Sequence, residues 1–311
     1  MSDKTGNYVT IVGSGAKHLN ITSDIDMILG SFNNKECQVQ LLTSVRHKHV
    51  IIIQSFNDTN DNLIELLILI DAVKRSMAAS VTVIAPIFPY ARQDRRSDSG
   101  TPISARVVCD LLNTTNIDRL ITVDLHATQI QGFMDNSIGF DHISSSAFLA
   151  YHLRNKFRIL TNTSICSPDA GGVKRAKKMQ KLLGAPSFSL MTKTRVRAGE
   201  VESIEVTGDV FGKEVIIVDD MIDTAGTLAA GIEALYEAGA VGVSAVATHG
   251  LFSGPAFERL EGVDVYTTNT LRIDNAPSNI HVFDITPLIN RVIDKVCNGE
   301  HFSDLFHTWT E

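Results

Sequence analysis

Asp219, Asp220 and Asp223 crowd the stretch EVIIVDDMIDTAGTL (214–228), immediately ahead of Thr224, Ala225, Gly226 and Thr227. Two chemistries meet at that corner. A tight loop opening a helix turns free backbone N–H groups outward and favours an anion such as phosphate. Carboxylates instead accept hydrogen bonds from hydroxyls and bind hard cations such as Mg²⁺. A sugar phosphate satisfies both, with its phosphate on the loop amides and the Thr224 and Thr227 hydroxyls, and its vicinal hydroxyls on the aspartates. The ordinary alternative is a helix capped by Asp223 or Thr224, with solvated acids alongside.

Four other stretches carry residue types suited to chemistry. In SPDAGGVKRA, Asp169, Ala170, Gly171 and Gly172 follow a short apolar run and open a helical pattern, a geometry suited to a diphosphate or its metal. A plain glycine-rich turn fits that stretch equally well. In ITVDLHA, His126 follows Asp124 at the end of an apolar run, where a lone histidine is commonly a satisfied core residue. Arg92, Gln93 and Arg95 form a basic cluster after SVTVIAPIF, and Lys193, Arg195 and Arg197 alternate in MTKTRVRAG. Solvated basic loops or strand faces explain such clusters without any ligand. Phe32, near Asn34 and Glu36, reads on its own as a core aromatic.

The elements that position these residues follow from hydrophobic patterning. Near-continuous apolar runs at 8–15, 49–56, 80–88, 119–125, 164–167, 187–192, 214–220, 241–250 and 263–271 predict strands. Between them DNLIELLILIDAVKRS, PISARVVCDLLNT, GGVKRAKKMQKLLG and GTLAAGIEALYEAG have helical periodicity. Strands of this kind alternating with helices indicate an α/β fold with parallel sheets covered on both faces. Ligands in such folds sit at the carboxyl ends of the strands, where the candidate residues cluster.

The chain has 311 residues, long enough for two domains. The boundary is expected in 136–146, giving domains 1–142 and 143–311. Twenty-eight basic against 35 acidic residues leave a net charge of −7, which offers no broad surface for nucleic acid or an acidic membrane. No apolar run reaches the roughly 18 residues of a membrane span, and MSDKTGNYVTIVGSG lacks a charged-then-apolar signal layout. A cytoplasmic protein is expected. Cys37, Cys109, Cys166 and Cys297 show no paired spacing and read as reduced thiols.

VDDMIDTAGTL resembles the phosphoribosyl diphosphate (PRPP) motif shared by phosphoribosyltransferases and ribose-phosphate pyrophosphokinases. TNDNLIELL (59–67), FPYARQDRR (88–96), VDLHATQIQGFMD (123–135), SPDAGGVKRAKK (167–178) and THGLFSGPA (248–256) resemble the pyrophosphokinase family, in its order and over nearly the whole chain. The resemblance implies two phosphoribosyltransferase-like domains, the first on the ATP side and the second on the ribose 5-phosphate side. It further implies Mg²⁺-dependent transfer of the diphosphoryl group of ATP to the C1 hydroxyl of ribose 5-phosphate, giving PRPP and AMP. Lys193 and Arg195 match the family's catalytic cations, and Arg195 also its ribose 5-phosphate site. Phe32, Asn34, Glu36, Arg92, Gln93, Arg95 and His126 fall on ATP-binding positions. Asp219, Asp220, Asp223, Thr224, Ala225, Gly226 and Thr227 fall on the ribose 5-phosphate site, and Asp169, Ala170, Gly171 and Gly172 on the diphosphate loop. His126 and Asp169 match its Mg²⁺ ligands, although Mg²⁺ prefers oxygen, so His126 acts mainly on nucleotide phosphate. The family's hairpin bearing Phe32 completes a neighbour's site, which implies a homo-oligomer, a hexamer in the family.

Several positions depart from the pattern. Asn34 stands where the family usually has Asp, and Lys35 where it has Gly. Thr192 and Thr194 flank Lys193 in place of Asp and Arg, and Gly139 replaces an acidic residue. The stretch 97–101, SDSGT, lacks the basic character of phosphate-activated members, although Ser44 and Arg46 resemble part of that regulatory site. Two other readings stand beside the synthetase. One is a catalytically weak or regulatory homologue; the other is a PRPP-consuming phosphoribosyltransferase, which the two-domain length and the Arg92–Arg95 motif disfavour.

Overall fold

In the computed structural model, residues 7–156, 161–194, 203–307 and 309 are described. The chain divides into two compact units. The first comprises 1–144 together with 270–272 and 285–303, and the second 145–269, 273–284 and 304–311.

The first unit opens with β1 (Tyr8–Val12), followed by a hairpin of β2 (Met27–Ser31) and β3 (Cys37–Leu41). Then come β4 (His49–Ile53), α1 (Thr59–Arg75), β5 (Ser80–Ala85), α2 (Ser104–Thr114), β6 (Arg119–Val123) and β7 (Gly139–Ile143). Five strands form one parallel sheet in the order β1-β4-β5-β6-β7, while β2 and β3 pair only with each other, antiparallel. The apolar runs HVIII and SVTVIA are buried because helices must cover both faces of a parallel sheet. On α1, Leu63, Leu66, Leu69, Ile70 and Val73 recur at helical spacing and are buried, while Lys74 and Arg75 favour the negative end of the helix dipole.

The second unit begins with α3 (Ser146–Lys156), β8 (Thr163–Ser167), α4 (Val173–Leu183), β9 (Ser187–Thr194) and β10 (Ser203–Gly208). It continues through β11 (Glu214–Ile222), α5 (Gly226–Glu237), β12 (Gly242–Gly250), α6 (Ala256–Arg259), β13 (Val265–Thr268) and β14 (Ile280–Phe283). Seven strands run in the order β10-β9-β8-β11-β12-β13-β14. All neighbours are parallel except β9 and β10, which form an antiparallel edge. Cys166, Val215, Ile217, Leu235, Ala245 and Val265 sit in one buried cluster beneath the sheet.

The last helix, α7 (Thr286–Asn298), has Pro287 in its first turn, which suits a fixed φ and a missing N–H. It buries Leu288, Ile289, Val292, Ile293 and Val296, and it belongs to the first unit, not to the one that precedes it in sequence. The division after Ser144 lies two residues from the expected boundary, but α7 and Thr270–Arg272 return across it. A hydrogen bond from the buried Ser55 hydroxyl to the Thr270 carbonyl, and one from the Arg272 amide to Asn57 Oδ1 at 2.7 Å, tie this returning chain down.

The four cysteines are free thiols. Burial pushes Cys109 up to about 12 and Cys166 up to about 11, so both stay protonated and unreactive at neutral pH. Among the described residues no helix is long and apolar enough to cross a membrane.

Candidate active site

β11 carries the candidate sugar site. Its buried core, Val215–Val218, anchors the strand between β8 and β12, and the carboxylates emerge at its carboxyl end. Asp220 is buried and Asp219 half-buried. Their side chains lie close together: the Asp220 amide donates to Asp219 Oδ1 at 2.8 Å. A single guanidinium nitrogen of Arg175, on the first turn of α4, lies 3.4 Å from Asp219 Oδ1 and 3.5 Å from Asp220 Oδ1. Desolvation raises the Asp219 carboxyl above the usual carboxylate range; the Asp220 carboxylate raises it further, and Arg175 partly opposes both. With 37% of its side chain exposed, solvent moderates that shift without reversing it.

The phosphate-binding candidate follows directly. Ala225 adopts φ 57°, ψ 10°, a left-handed conformation that is costly for a residue with a Cβ, and Gly226 then starts α5. A left-handed residue beside right-handed ones curls consecutive N–H groups into a concave nest that suits an anion. The first turn of α5 holds no acidic residue and its leading N–H groups have no intrahelical acceptor. Thr224, Gly226 and Thr227 are exposed at this mouth, and Ala225 is buried beneath it. Arg259 on α6 braces the loop by donating to the Thr224 carbonyl at 2.8 Å. The carboxylates and the nest are therefore separate sub-sites within one short segment.

The Asp169–Gly172 loop leads from β8 into α4. Asp169 Oδ1 accepts the Gly172 N–H at 2.8 Å, and Ser167 Oγ donates to the Asp169 carbonyl at 2.7 Å. A Cβ on Gly172 would come within 2.9 Å of that Ser167 hydroxyl, so only glycine fits without displacing it. Asp169, Ala170 and Gly171 are exposed.

In the first unit, Arg92, Gln93, Arg95 and His126 are exposed on the loops that follow β5 and β6. Gln129 Nε2 donates to Asp94 Oδ2 at 2.6 Å and so ties these two loops together. Gln93 also has local duties: its side-chain oxygen accepts from Ser104 Oγ at 2.5 Å, and its carbonyl accepts the Ala105 N–H at 3.1 Å at the start of α2. Asp124, buried at the end of β6, holds φ 39°, and the neighbouring Leu125 amide donates to His142 Nε2 at 3.1 Å. The same Nε2 lies 3.9 Å from Asp124 Oδ1. Phe32, Asn34 and Glu36 stand at the β2–β3 tip, where the Phe32 amide donates to the Glu36 carbonyl and the Glu36 amide to Asn34 Oδ1. Phe32 is 51% exposed, which departs from the core position expected of an isolated aromatic.

Lys193 lies near the end of β9, its Cα paired with Ile204 of β10, while Arg195 and Arg197 lie outside the described residues. Residue type alone does not single out Arg175 or Arg259. Arg175 stood within SPDAGGVKRAKK, three residues after Gly172, a spacing that already put it on the first helical turn.

Residues 14–115 match the N-terminal domain of ribose phosphate pyrophosphokinase, and residues 177–307 match the phosphoribosyl synthetase-associated domain. The chain is 43% identical over 286 residues to a ribose-phosphate pyrophosphokinase of Aquifex aeolicus, covering 90% of this chain and 91% of the relative. The chain belongs to the ribose-phosphate pyrophosphokinase family. A second family member, from Campylobacter jejuni, is 45% identical over 279 residues, covering 88% of this chain and 89% of that one. The crystal structure of phosphoribosylpyrophosphate synthetase from Mycobacterium smegmatis is similar with a TM-score of 0.85 and 37% identity, over 94% of this chain and 99% of that one. This places the α/β fold of the chain within the family.

Proposed function

We propose that the protein converts ATP and ribose 5-phosphate into PRPP and AMP. The observation that carries this reading is the division within 219–227: an anion nest beside a carboxylate pair, the complement of a phosphorylated diol, in a chain of this family. The ribose C1 hydroxyl attacks the β-phosphorus of ATP in line, and AMP leaves. Positioning and neutralisation of developing charge supply most of the catalysis in such transfers.

Phe32, Asn34 and Glu36 serve the adenine, and Arg92, Gln93, Arg95 and His126 the nucleotide's phosphates. Asp219 and Asp220 take the ribose hydroxyls, and the Asp223–Thr227 loop takes the 5-phosphate. The Asp169–Gly172 loop receives the diphosphate, and Lys193 with Arg195 neutralises it during transfer. Among the described residues no three His, Cys, Asp or Glu side chains gather as a metal cage. The exposed Asp169 carboxylate is the kind of ligand that Mg²⁺ takes, since it is commonly bound through one or two carboxylates plus substrate phosphates. Asp169 would hold it in the second unit, with His126 the corresponding candidate in the first; when bound, Mg²⁺ supplies charge neutralisation on the phosphates.

Purified protein with Mg²⁺, ATP and ribose 5-phosphate is expected to release AMP and PRPP in equal amounts. Release of ADP would mean ordinary γ-phosphoryl transfer and would overturn the reading.

The protein also assembles as a homo-oligomer, a hexamer by family resemblance. An exposed Phe32 at a hairpin tip supports this, as do Ile64 with Ile68 on α1 and Val107 with Leu111 on α2, two pairs of exposed apolar residues each one helical turn apart. Light scattering should report a mass several times that of the chain, and a fully active monomer would contradict it.

A further inference from the structure

Two adjacent carboxylates at the end of a parallel strand repel each other, and the half-buried setting of Asp219 and the buried setting of Asp220 sharpen the conflict. Along the strand, Ala247 of β12 stands opposite Asp219 and the Asp220 N–H donates to Asp219 Oδ1. Relief comes from α4, 44 residues away in sequence, where Arg175 reaches both Oδ1 atoms with one nitrogen. Its side chain is only 21% exposed, so the pairing is partly shielded from water.

We propose that Arg175 is a positioning residue of the ribose 5-phosphate sub-site. It sets the charge of the Asp219–Asp220 pair and the direction of its acceptors; it does not touch the reacting atoms. The proposal rests on the reading of Asp219 and Asp220 as sugar-binding groups. Asp219 Oδ1 is held by Arg175 and by the Asp220 N–H, which leaves Oδ2 to accept a sugar hydroxyl. The cation eases the repulsion between the two carboxylates and so favours their ionised, hydrogen-bond-accepting form. Remove it, and Asp219, already held above the usual carboxylate range by burial and by Asp220, is driven further towards its protonated form and loses acceptor capacity. Arg175 also fixes geometry, because Gly172, the last residue of the Asp169–Gly172 loop, immediately precedes α4. The same short helix therefore joins the diphosphate loop to the carboxylate pair within the second unit.

The experiment is steady-state kinetics on the full chain carrying Arg175→Ala or Arg175→Lys. Arg175→Ala should raise the ribose 5-phosphate KM about fivefold or more, with the ATP KM within about twofold of wild type. Arg175→Lys keeps the charge without the planar fork and should recover most of the loss. A merely structural residue would move both KM values or neither, and would not be rescued by charge alone. An unchanged ribose 5-phosphate KM in Arg175→Ala, or Arg175→Lys as impaired as Arg175→Ala, overturns the proposal. If Arg175→Ala does not fold, the Arg175→Lys variant measured beside Arg175→Gln gives the same comparison. Should wild-type protein release no AMP, the functional reading fails alone; calorimetric binding of ribose 5-phosphate to wild type and to Arg175→Ala then decides the role of Arg175.

Discussion

Lys193→Ala should lower kcat by about a hundredfold or more while leaving the KM values for ATP and ribose 5-phosphate nearly unchanged. The expectation follows from what a diphosphoryl transfer needs. Negative charge shifts towards the leaving AMP oxygen during the step, so a cation that meets it only then stabilises the transition state without tightening ground-state binding. Lys193 lies near the end of β9, with its Cα paired to that of Ile204 in β10. The neighbouring pairs Met191 with Val206 and Thr192 with Glu205 continue the same register, so truncation at 193 leaves the ladder intact. Thermal midpoints of wild type and variant should agree within a few degrees, separating a chemical loss from a folding one. A variant with near-normal kcat would return Lys193 to the solvent face of a strand and would favour the regulatory-homologue reading.

The parallel core was legible because its signal is local. Apart from Thr82, the buried positions of HVIII and SVTVIA are all apolar, as two covering helices require. GGVKRAKKMQKLLG showed both its period and its stop, since Gly184 ends α4 in the left-handed conformation. What escaped were relations between distant residues. The β10 strand became visible only through pairing with β9, because SIEVTG alone is too short and mixed to declare itself. In α7 the amphipathic pattern of TPLINRVIDKVCN is plain, but no local feature says that the helix packs with the first unit. The site divides along the same line. The Asp–Thr–Ala–Gly–Thr loop could be read as an anion nest from residue types alone. The bond from Arg175 to Asp219, the strained Asp124, and the use of Gln93 at the start of α2 depend on three-dimensional proximity.

Asp219→Asn should separate the two halves of the sugar site and change stability in the opposite direction to affinity. The amide keeps the size of the carboxylate but exchanges a charged acceptor for a neutral one. Losing a charge-assisted hydrogen bond costs about 1.5–3 kcal/mol, roughly ten- to hundredfold in affinity. That loss belongs in the ribose 5-phosphate KM and much less in the ATP KM. Thr227→Val removes a hydroxyl from the nest instead, so it should weaken ribose 5-phosphate more than unphosphorylated ribose, because only the former carries the anion. Burial and Asp220 hold the Asp219 carboxyl above its ordinary value, so the folded chain binds this proton more tightly than the unfolded chain does. Stability contributed by that proton is complete below the usual carboxylate range and is lost as pH rises through the raised folded value. The thermal midpoint of wild type should therefore fall more between about pH 5 and about pH 8 than that of Asp219→Asn, which has no proton to lose. Near neutral pH the variant should be the more stable protein and the poorer sugar binder, the trade expected where a binding site holds like charges together. If Asp219→Asn weakened ATP alone, the carboxylate would serve the nucleotide, and the assignment of β11's end to the ribose hydroxyls would be wrong.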